Sequence, residues 1–593
     1  MKTEPILYSV TPFDPSGHRL KITLSIPGPD PAGQALSLPA WIPGSYLIRD
    51  FSRQIETIQA THRGKPVPLS KTGSHRWLCE PVSGPLLVEY TVYAWDLSVR
   101  SAHVDETHAF FNGTSIFLEV EGRSAEPCLL KLCPPPHTKT WRVHTSLPEA
   151  AGLPGAARRH GFGLYRASNY DDLIDHPVEM GTPQVVSFSA HGAEHEMVFT
   201  GVIPGLDLER IAADTKRICE TQIEFFEPDT RQAPFLDSAD RYVFMTMVTG
   251  DAYGGLEHRA STALMASRAD LPTIGRKDAG EGYQTFLGLV SHEYFHTWNV
   301  KRIKPAAFAP YDLSRENHTR LLWVFEGFTS YYDDLMLLRS GVILDTDYLR
   351  LLGKTIANVH GAGGRFKQSV AESSFDAWTR YYKQDENSPN ALVSYYTKGA
   401  LVALGLDLLI RESSGHKHCL DDVMRLMWQR FGKDFYRGSP SGVAEDAMPD
   451  LIREATGVDA SNFLDRHALG REDIPLDRML AASGIRMEWK SSSEAPSLDV
   501  RMRAVNGELQ FATVREGGAA HTGGISAGDV LVALDGLRTA DNAALERLLR
   551  SYQPGDVVQL HVFRRDELRA YSVKLSPPAR LECVLTREGG QTP

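Results

Sequence analysis

His292 and His296 stand four residues apart in Phe286-Leu-Gly-Leu-Val-Ser-His-Glu-Tyr-Phe-His-Thr-Trp298, a stretch otherwise so apolar that it predicts a buried helix. On a helix, four residues advance about 400°, so the two imidazoles stack one turn apart on one face and both reach a single ion. Glu293 lies about 100° further round, which sets its carboxylate beside that ion, where it can take a proton from water. Two histidines and a carboxylate are costly in a buried helix unless an ion or polar partners satisfy them. The order ligand, base, ligand therefore predicts one zinc ion held by this helix.

Catalytic zinc needs a third protein ligand and an open position. Glu326 fits, because it sits in Trp323-Val-Phe-Glu-Gly-Phe-Thr-Ser-Tyr-Tyr332, an apolar and aromatic helical segment where a carboxylate without a cation would be protonated or paired. Asp333, seven residues on and on the same helical face, is placed to orient a ligand histidine.

A chain of 593 residues exceeds one hydrophobic core; roughly 150 residues per domain suggests three or four units, and three are expected. Residues 1–185 alternate in short runs such as His18 to Ile26, Leu86 to Trp95 and Ser115 to Val120, broken by Pro, Gly and Asn, which predicts an all-β domain. Near residue 205 the period lengthens. Leu208, Ile211, Ala212, Ile218, Cys219, Phe225 and Phe226 share one helical face, with Thr215 and Gln222 as polar interruptions. A strand over Tyr242 to Val248 and helices over Phe286 to Trp298, Leu322 to Leu338, Lys398 to Arg411 and Leu420 to Arg430 follow, giving an α/β catalytic domain with a helical lobe over 186–490. Short strands around one helix, Asn542 to Tyr552, predict a small β-rich module over 498–577. The fold class is multidomain α+β.

Apolar residues make up 42% and charged residues 23%, the texture of a globular protein. A formal charge of -11 excludes the Lys/Arg excess that nucleic acid or an anionic membrane surface requires. The six cysteines contain no Cys-x-x-Cys pair and read as free thiols. The opening residues lack a signal-peptide core and no uncharged apolar run reaches the roughly 18 residues of a membrane span, so a cytoplasmic location is the expectation.

His292, Glu293, His296 and Glu326 together resemble the gluzincin metallopeptidases. Tyr253-Gly-Gly-Leu-Glu-His258 looks like the Gly-x-Met-Glu-Asn element of the zinc aminopeptidases, with His258 where they have Asn. That resemblance implies that Glu257 binds the substrate's free α-amine, that Gly254 and Gly255 lie along the substrate as an edge strand, and that His258 meets a substrate carbonyl. Tyr395-Tyr-Thr-Lys-Gly399 is similar to the Tyr-x-Lys-Gly element that supplies an oxyanion-stabilising phenol. Alignment on Lys398-Gly399 selects Tyr396, with Tyr395 as the alternative.

Over nearly the whole chain the sequence resembles the glycyl aminopeptidase family, through Trp41-Ile-Pro-Gly-Ser-Tyr-Leu-Ile-Arg-Asp-Phe51, Asp105-Glu-Thr-His-Ala-Phe-Phe-Asn-Gly-Thr114, the helix continuing into Asn299-Val-Lys-Arg-Ile-Lys-Pro305, and Glu326-Gly-Phe-Thr329. The resemblance implies a thermolysin-like catalytic domain, cleavage after an N-terminal glycine and secondarily alanine, and peptide substrates with a free N-terminus. Gly523-Gly-Ile-Ser-Ala-Gly-Asp-Val-Leu-Val-Ala-Leu-Asp-Gly536 makes the last module resemble a PDZ domain, with a peptide or protein ligand as its expected partner. A thermolysin-like endopeptidase and a non-catalytic PDZ-bearing peptide binder are the alternatives that the residues leave open.

Overall fold

Alternating burial builds the N-terminal sheets. In Ile6–Asp14 and Leu86–Tyr93 every second side chain is buried, so one face of each strand packs inward. The computed structural model describes residues 4–136, 138–276, 280–438, 440–491, 493–579 and 582–588. Its chain divides into two compact units, one of Met1–Asn317, Tyr332–Ile343 and Met424–Ala444, the other of His318–Tyr331, Leu344–Val423 and Glu445–Pro593.

In the first unit, a seven-stranded sheet runs in the order Gly163–Ala167, Cys128–Leu132, Ile6–Asp14, Arg19–Ile26, Leu86–Tyr93, Ile55–His62, Lys65–Val67. Ser115 to Val120, expected as a strand, instead opens as a helical turn at Gly113–Ile116 and keeps only Glu119–Val120 extended. Side chains have taken over its backbone bonding: Tyr170 and Tyr8 donate their hydroxyls to the carbonyls of Phe117 and Leu118, both at 2.7 Å. Ser115 Oγ donates to Asn112 O at 2.8 Å.

A second sheet of this unit runs in the order Gln184–Ala190, Ala193–Thr200, Arg241–Thr249, Ser261–Ser267, Tyr253–Glu257. The last of these strands is antiparallel to Ser261–Ser267 and forms the sheet's edge. Its central strand Arg241–Thr249 is buried for eight consecutive residues, as a strand covered on both faces must be. Met245, Met247, Leu256 and Ala263 join the apolar core of the β domain, so the two sheets share one interior.

The helix Leu208–Phe226 buries the predicted apolar face, but Thr215 and Gln222 are buried with it. Gln222 Nε2 donates to Ser291 O and Oγ, each at 2.9 Å, and so holds the middle of the helix Gly280–Phe295 that bears His292 and Glu293.

A π-helical turn at Trp323–Gly327, in the second unit, precedes the α-helix Phe328–Arg339 in the chain, where a single helix was expected. A Cβ on Gly327 would lie 2.6 Å from Gly399 Cα, so the turn and the helix Thr397–Ser414 touch backbone to backbone. The β-rich module has the sheet order Val500–Val505, Glu508–Val514, Val530–Leu534, Val557–Arg564, Glu567–Lys574, with the helix Asn542–Leu549 beside it. The chain enters this module from Ile485–Lys490 and leaves through Glu582–Arg587, and those two strands pair with each other. Asn390 bonds Val514 O and Glu516 N, at 2.9 and 3.0 Å, fixing the module to the helical lobe of the same unit.

Candidate metal centre and substrate strand

The apolar run before His292 buries its helix, and the chain turns sharply once the helix ends at Phe295. That turn brings Asn299 O within 2.7 Å of His296 Nδ1. His292 Nδ1 lies 3.0 Å from Asp333 Oδ2. A carbonyl and a carboxylate oxygen only accept, so both histidines carry their proton on Nδ1 and present the Nε2 lone pair. These two Nε2 atoms face each other at 3.0 Å. Two lone pairs so close repel, and a cation between them turns that repulsion into ligation. The donor chemistry therefore fits zinc, with Asp333 and Asn299 fixing the tautomers.

Asp333 thus lies within hydrogen-bond distance of His292 Nδ1. Replacing it with Ala should weaken zinc binding by about 10- to 100-fold, as loss of such an outer partner does. Chelator-competition titration measures this, and unchanged affinity would remove Asp333 from the site.

Glu293 is buried beneath the edge strand. A Cβ on Gly255 would lie 1.9 Å from Glu293 Oε1, so any larger residue there would push the Glu293 carboxylate from its place. Gly254 beside it has open space around the same position. Glu257, two residues along and so on the same face as Gly255, is 4% exposed. One donor atom each from Glu257, Glu293 and His296 lies within 4.8 Å of the others. Glu257 Oε1 is buried and has no hydrogen-bond partner among the described residues.

The Trp41–Phe51 segment, whose chemistry is not legible in the sequence, packs against the Glu257 carboxylate through Gly44. Gly44 adopts φ +90°, and a Cβ there would lie 2.4 Å from Glu257 Oε2. Its Trp41 indole donates to Asp312 O at 2.9 Å, anchoring the segment.

His258 turns the other way from Glu257, into a buried ionic cluster. Asp175 accepts from His258 Nδ1 at 3.1 Å, Arg259 N at 3.0 Å and Lys301 Nζ at 2.8 Å. Burial alone would raise the Asp175 carboxyl, but the Lys301 ammonium, the His258 hydrogen bond and the Arg259 charge hold it well below the usual range. Arg302 grips Asp237 through two nitrogens. Lys301 and Arg302 thus tie the end of the helix that carries His292 and His296 to its own unit.

Glu326 and Tyr396 belong to the second unit. Glu326 is 2% exposed within the π-helical turn, a feature that often marks functional sites. Burial, and then neighbouring charges that include Glu326, push the phenols of Tyr381 and Tyr395 upward. Tyr395 is fully buried, whereas Tyr396 is half-buried at the start of the helix Thr397–Ser414, its hydroxyl 3.4 Å from that of Tyr382. Accessibility favours Tyr396 over Tyr395. Gln222, Asp175, Asn299 and Tyr382 had no signal in the sequence, because each acts through a contact that only the fold creates.

Residues 7–182 match the peptidase M61 N-terminal domain, 285–402 the M61 glycyl aminopeptidase and 496–575 a PDZ domain. The chain is similar to the crystal structure of an aminopeptidase N family protein from Idiomarina loihiensis, with 42% identity, 98% of each chain covered and a TM-score of 0.92. An M1 zinc metallopeptidase from Deinococcus radiodurans matches at 13% identity over 80% of this chain and 95% of its own, with a TM-score of 0.48. A mutant of that enzyme bound to a Tyr-Ser-Ala substrate matches at 14% over the same shares, with a TM-score of 0.47. No curated protein matches significantly.

Proposed function

This chain belongs to the M61 glycyl aminopeptidase family and is a zinc aminopeptidase, and from that premise we propose that it releases N-terminal glycine, and secondarily alanine, from peptides. The observation that carries the aminopeptidase reading to particular residues is the buried, unpartnered oxygen of Glu257 beside Glu293 and His296. A peptide's terminal ammonium supplies the charge and donors that this oxygen lacks.

In this reading His292, His296 and Glu326 hold one zinc ion at the catalytic site. When bound, zinc contributes Lewis acidity, polarising a carbonyl and making water a competent nucleophile near neutral pH. Glu293 takes the proton from the attacking water and delivers it to the leaving amine. The phenol of Tyr396 donates a hydrogen bond to the developing oxyanion, without the desolvation cost of a charge. Gly254 and Gly255 offer their edge-strand backbone to the substrate, while His258, buried against Asp175, supports the strand end and does not reach a substrate carbonyl. Preference for a small first residue is supported by the family match and by Gly44, whose backbone closes against the Glu257 carboxylate.

The PDZ domain presents a groove of about 310 Å³ between its edge strand Val500–Val505 and the helix Asn542–Leu549, lined by Leu498, Met502, Leu545 and Leu549. That geometry suits an extended peptide added as a strand.

A panel of dipeptides and tripeptides tests the catalytic reading. Glycyl substrates should be cut fastest, alanyl ones next, bulky first residues slowest, and all should fail with chelator or with an acetylated N-terminus. Equal cleavage of acetylated peptides would instead make the chain an endopeptidase.

A further inference from the structure

His103, Asp105 and His108 lie in the β domain, in a motif that the peptidase reading does not use. His103 is in the strand Ala102–Val104 and His108 in the antiparallel strand His108–Phe111. Asp105 N donates to His108 O at 3.0 Å, so Asp105 faces His108 across the tight turn. Residues two apart on a strand share a face, and so do directly opposed residues. The spacing His-x-Asp-x-x-His therefore puts all three side chains on one face of the hairpin.

Each of the three brings a donor atom within 4.8 Å of the other two. His103 and His108 are 4% and 7% exposed. Asp105 divides its oxygens. Oδ1 accepts from Thr107 N, Thr107 Oγ1 and His108 N at 2.7, 2.6 and 3.1 Å, while Oδ2 is left facing His103 Nε2 at a long 3.3 Å. His108 Nδ1 points at Glu179, 3.1 and 3.4 Å from its two oxygens, which leaves Nε2 to present a lone pair. Glu179 thus stands to His108 as Asp333 stands to His292. His103 Nδ1 is buried with no hydrogen-bond partner among the described residues. Trp95 stacks on the His103 ring, centroids 4.8 Å apart.

Charge points the same way. Among the described residues, Asp105 and Glu179 have no Lys or Arg ion-pair partner, so two carboxylates share a largely buried face with two imidazoles. A second cluster, His144, His160 and Glu196, lacks this deficit, because Arg159 lies 3.5 Å from Glu196 Oε2 and both histidines already bond that carboxylate.

We propose that His103, Asp105 and His108 bind a second divalent transition-metal cation, separate from the catalytic ion, with Glu179 orienting His108. Two imidazoles and one carboxylate select a zinc-class ion over magnesium or calcium. The ion clips the hairpin closed and does not take part in peptide hydrolysis.

The test loads the full-length, chelator-stripped protein with Zn²⁺ and counts bound ions by equilibrium dialysis and elemental analysis. Wild type should hold two per chain, and the double variant His103→Gln/His108→Gln one, with hydrolysis of a glycyl substrate retained. His296→Gln should also hold one, and that remaining ion should be lost when the double substitution is added. An ion count in the double variant equal to that of wild type, whether one or two, overturns the proposal. If the double variant does not fold, Asp105→Asn decides. It keeps an acceptor for the turn, and it should weaken one of two Zn²⁺ sites by tenfold or more; two unchanged sites overturn the proposal. Because ions are counted, the outcome is independent of whether the chain cleaves glycyl peptides.

Discussion

Glu293→Gln should lower kcat on a glycyl substrate by about 10²- to 10⁴-fold, the range contributed by a positioned general base, while leaving zinc content unchanged. The substitution is chosen for its shape. Gly255 passes so close above the Glu293 carboxylate that a smaller side chain would leave a void beneath the edge strand, whereas Gln fills nearly the same volume. The zinc-binding atoms keep their supports, since His296 Nδ1 bonds Asn299 O and His292 Nδ1 bonds Asp333, and neither depends on Glu293. Steady-state kinetics and elemental analysis on one preparation check both halves. Turnover at the wild-type rate would sink the assignment of the base, and loss of zinc would mean that Glu293 holds the site together and is not only its base.

The geometry of the histidine helix was legible because it is local. A spacing of four within an apolar run fixes which way His292 and His296 point, and the seven-residue step from Glu326 put Asp333 on a usable face before any fold was known. The long apolar and amphipathic segments were legible for the same reason: Leu208–Phe226 and Arg241–Thr249 fall where their periods place them. Ser115 to Val120 misled because β-branched and aromatic residues are as content in a buried irregular segment as in a strand. What decided it was Tyr8 and Tyr170, distant in sequence, capturing the carbonyls of Leu118 and Phe117. The π-helical turn was invisible as well, since it answers to the close approach of Gly327 and Gly399. Gln222 read as a polar blemish on an apolar face, yet it is the side chain that secures the carbonyl of Ser291.

Glu257→Ala should cost about 10²- to 10³-fold in kcat/KM on peptides with a free N-terminus, in line with the 2–5 kcal/mol typical of truncating one partner of a buried charge pair. The more telling readout is a ratio. Wild type should discriminate strongly between free and acetylated substrates, and the variant should lose most of that discrimination, because the carboxylate that rewards the ammonium is gone while Glu293 and the histidines remain. The variant's residual rate on the acetylated peptide should not exceed that of wild type, since removing an anchor adds no catalytic group. A second variant separates the charge from its placement. Gly44→Ala keeps the carboxylate, but its Cβ would fall 2.4 Å from Glu257 Oε2 in a backbone conformation, φ +90°, that suits glycine. It should therefore raise KM for glycyl peptides by displacing Glu257 while keeping a measurable preference for the free amine. If Glu257→Ala preserved the full ratio of free to acetylated cleavage, the N-terminus would have to be recognised elsewhere. The Trp41–Phe51 segment would then pack against the Glu257 carboxylate with no part in selecting which end of a peptide is bound.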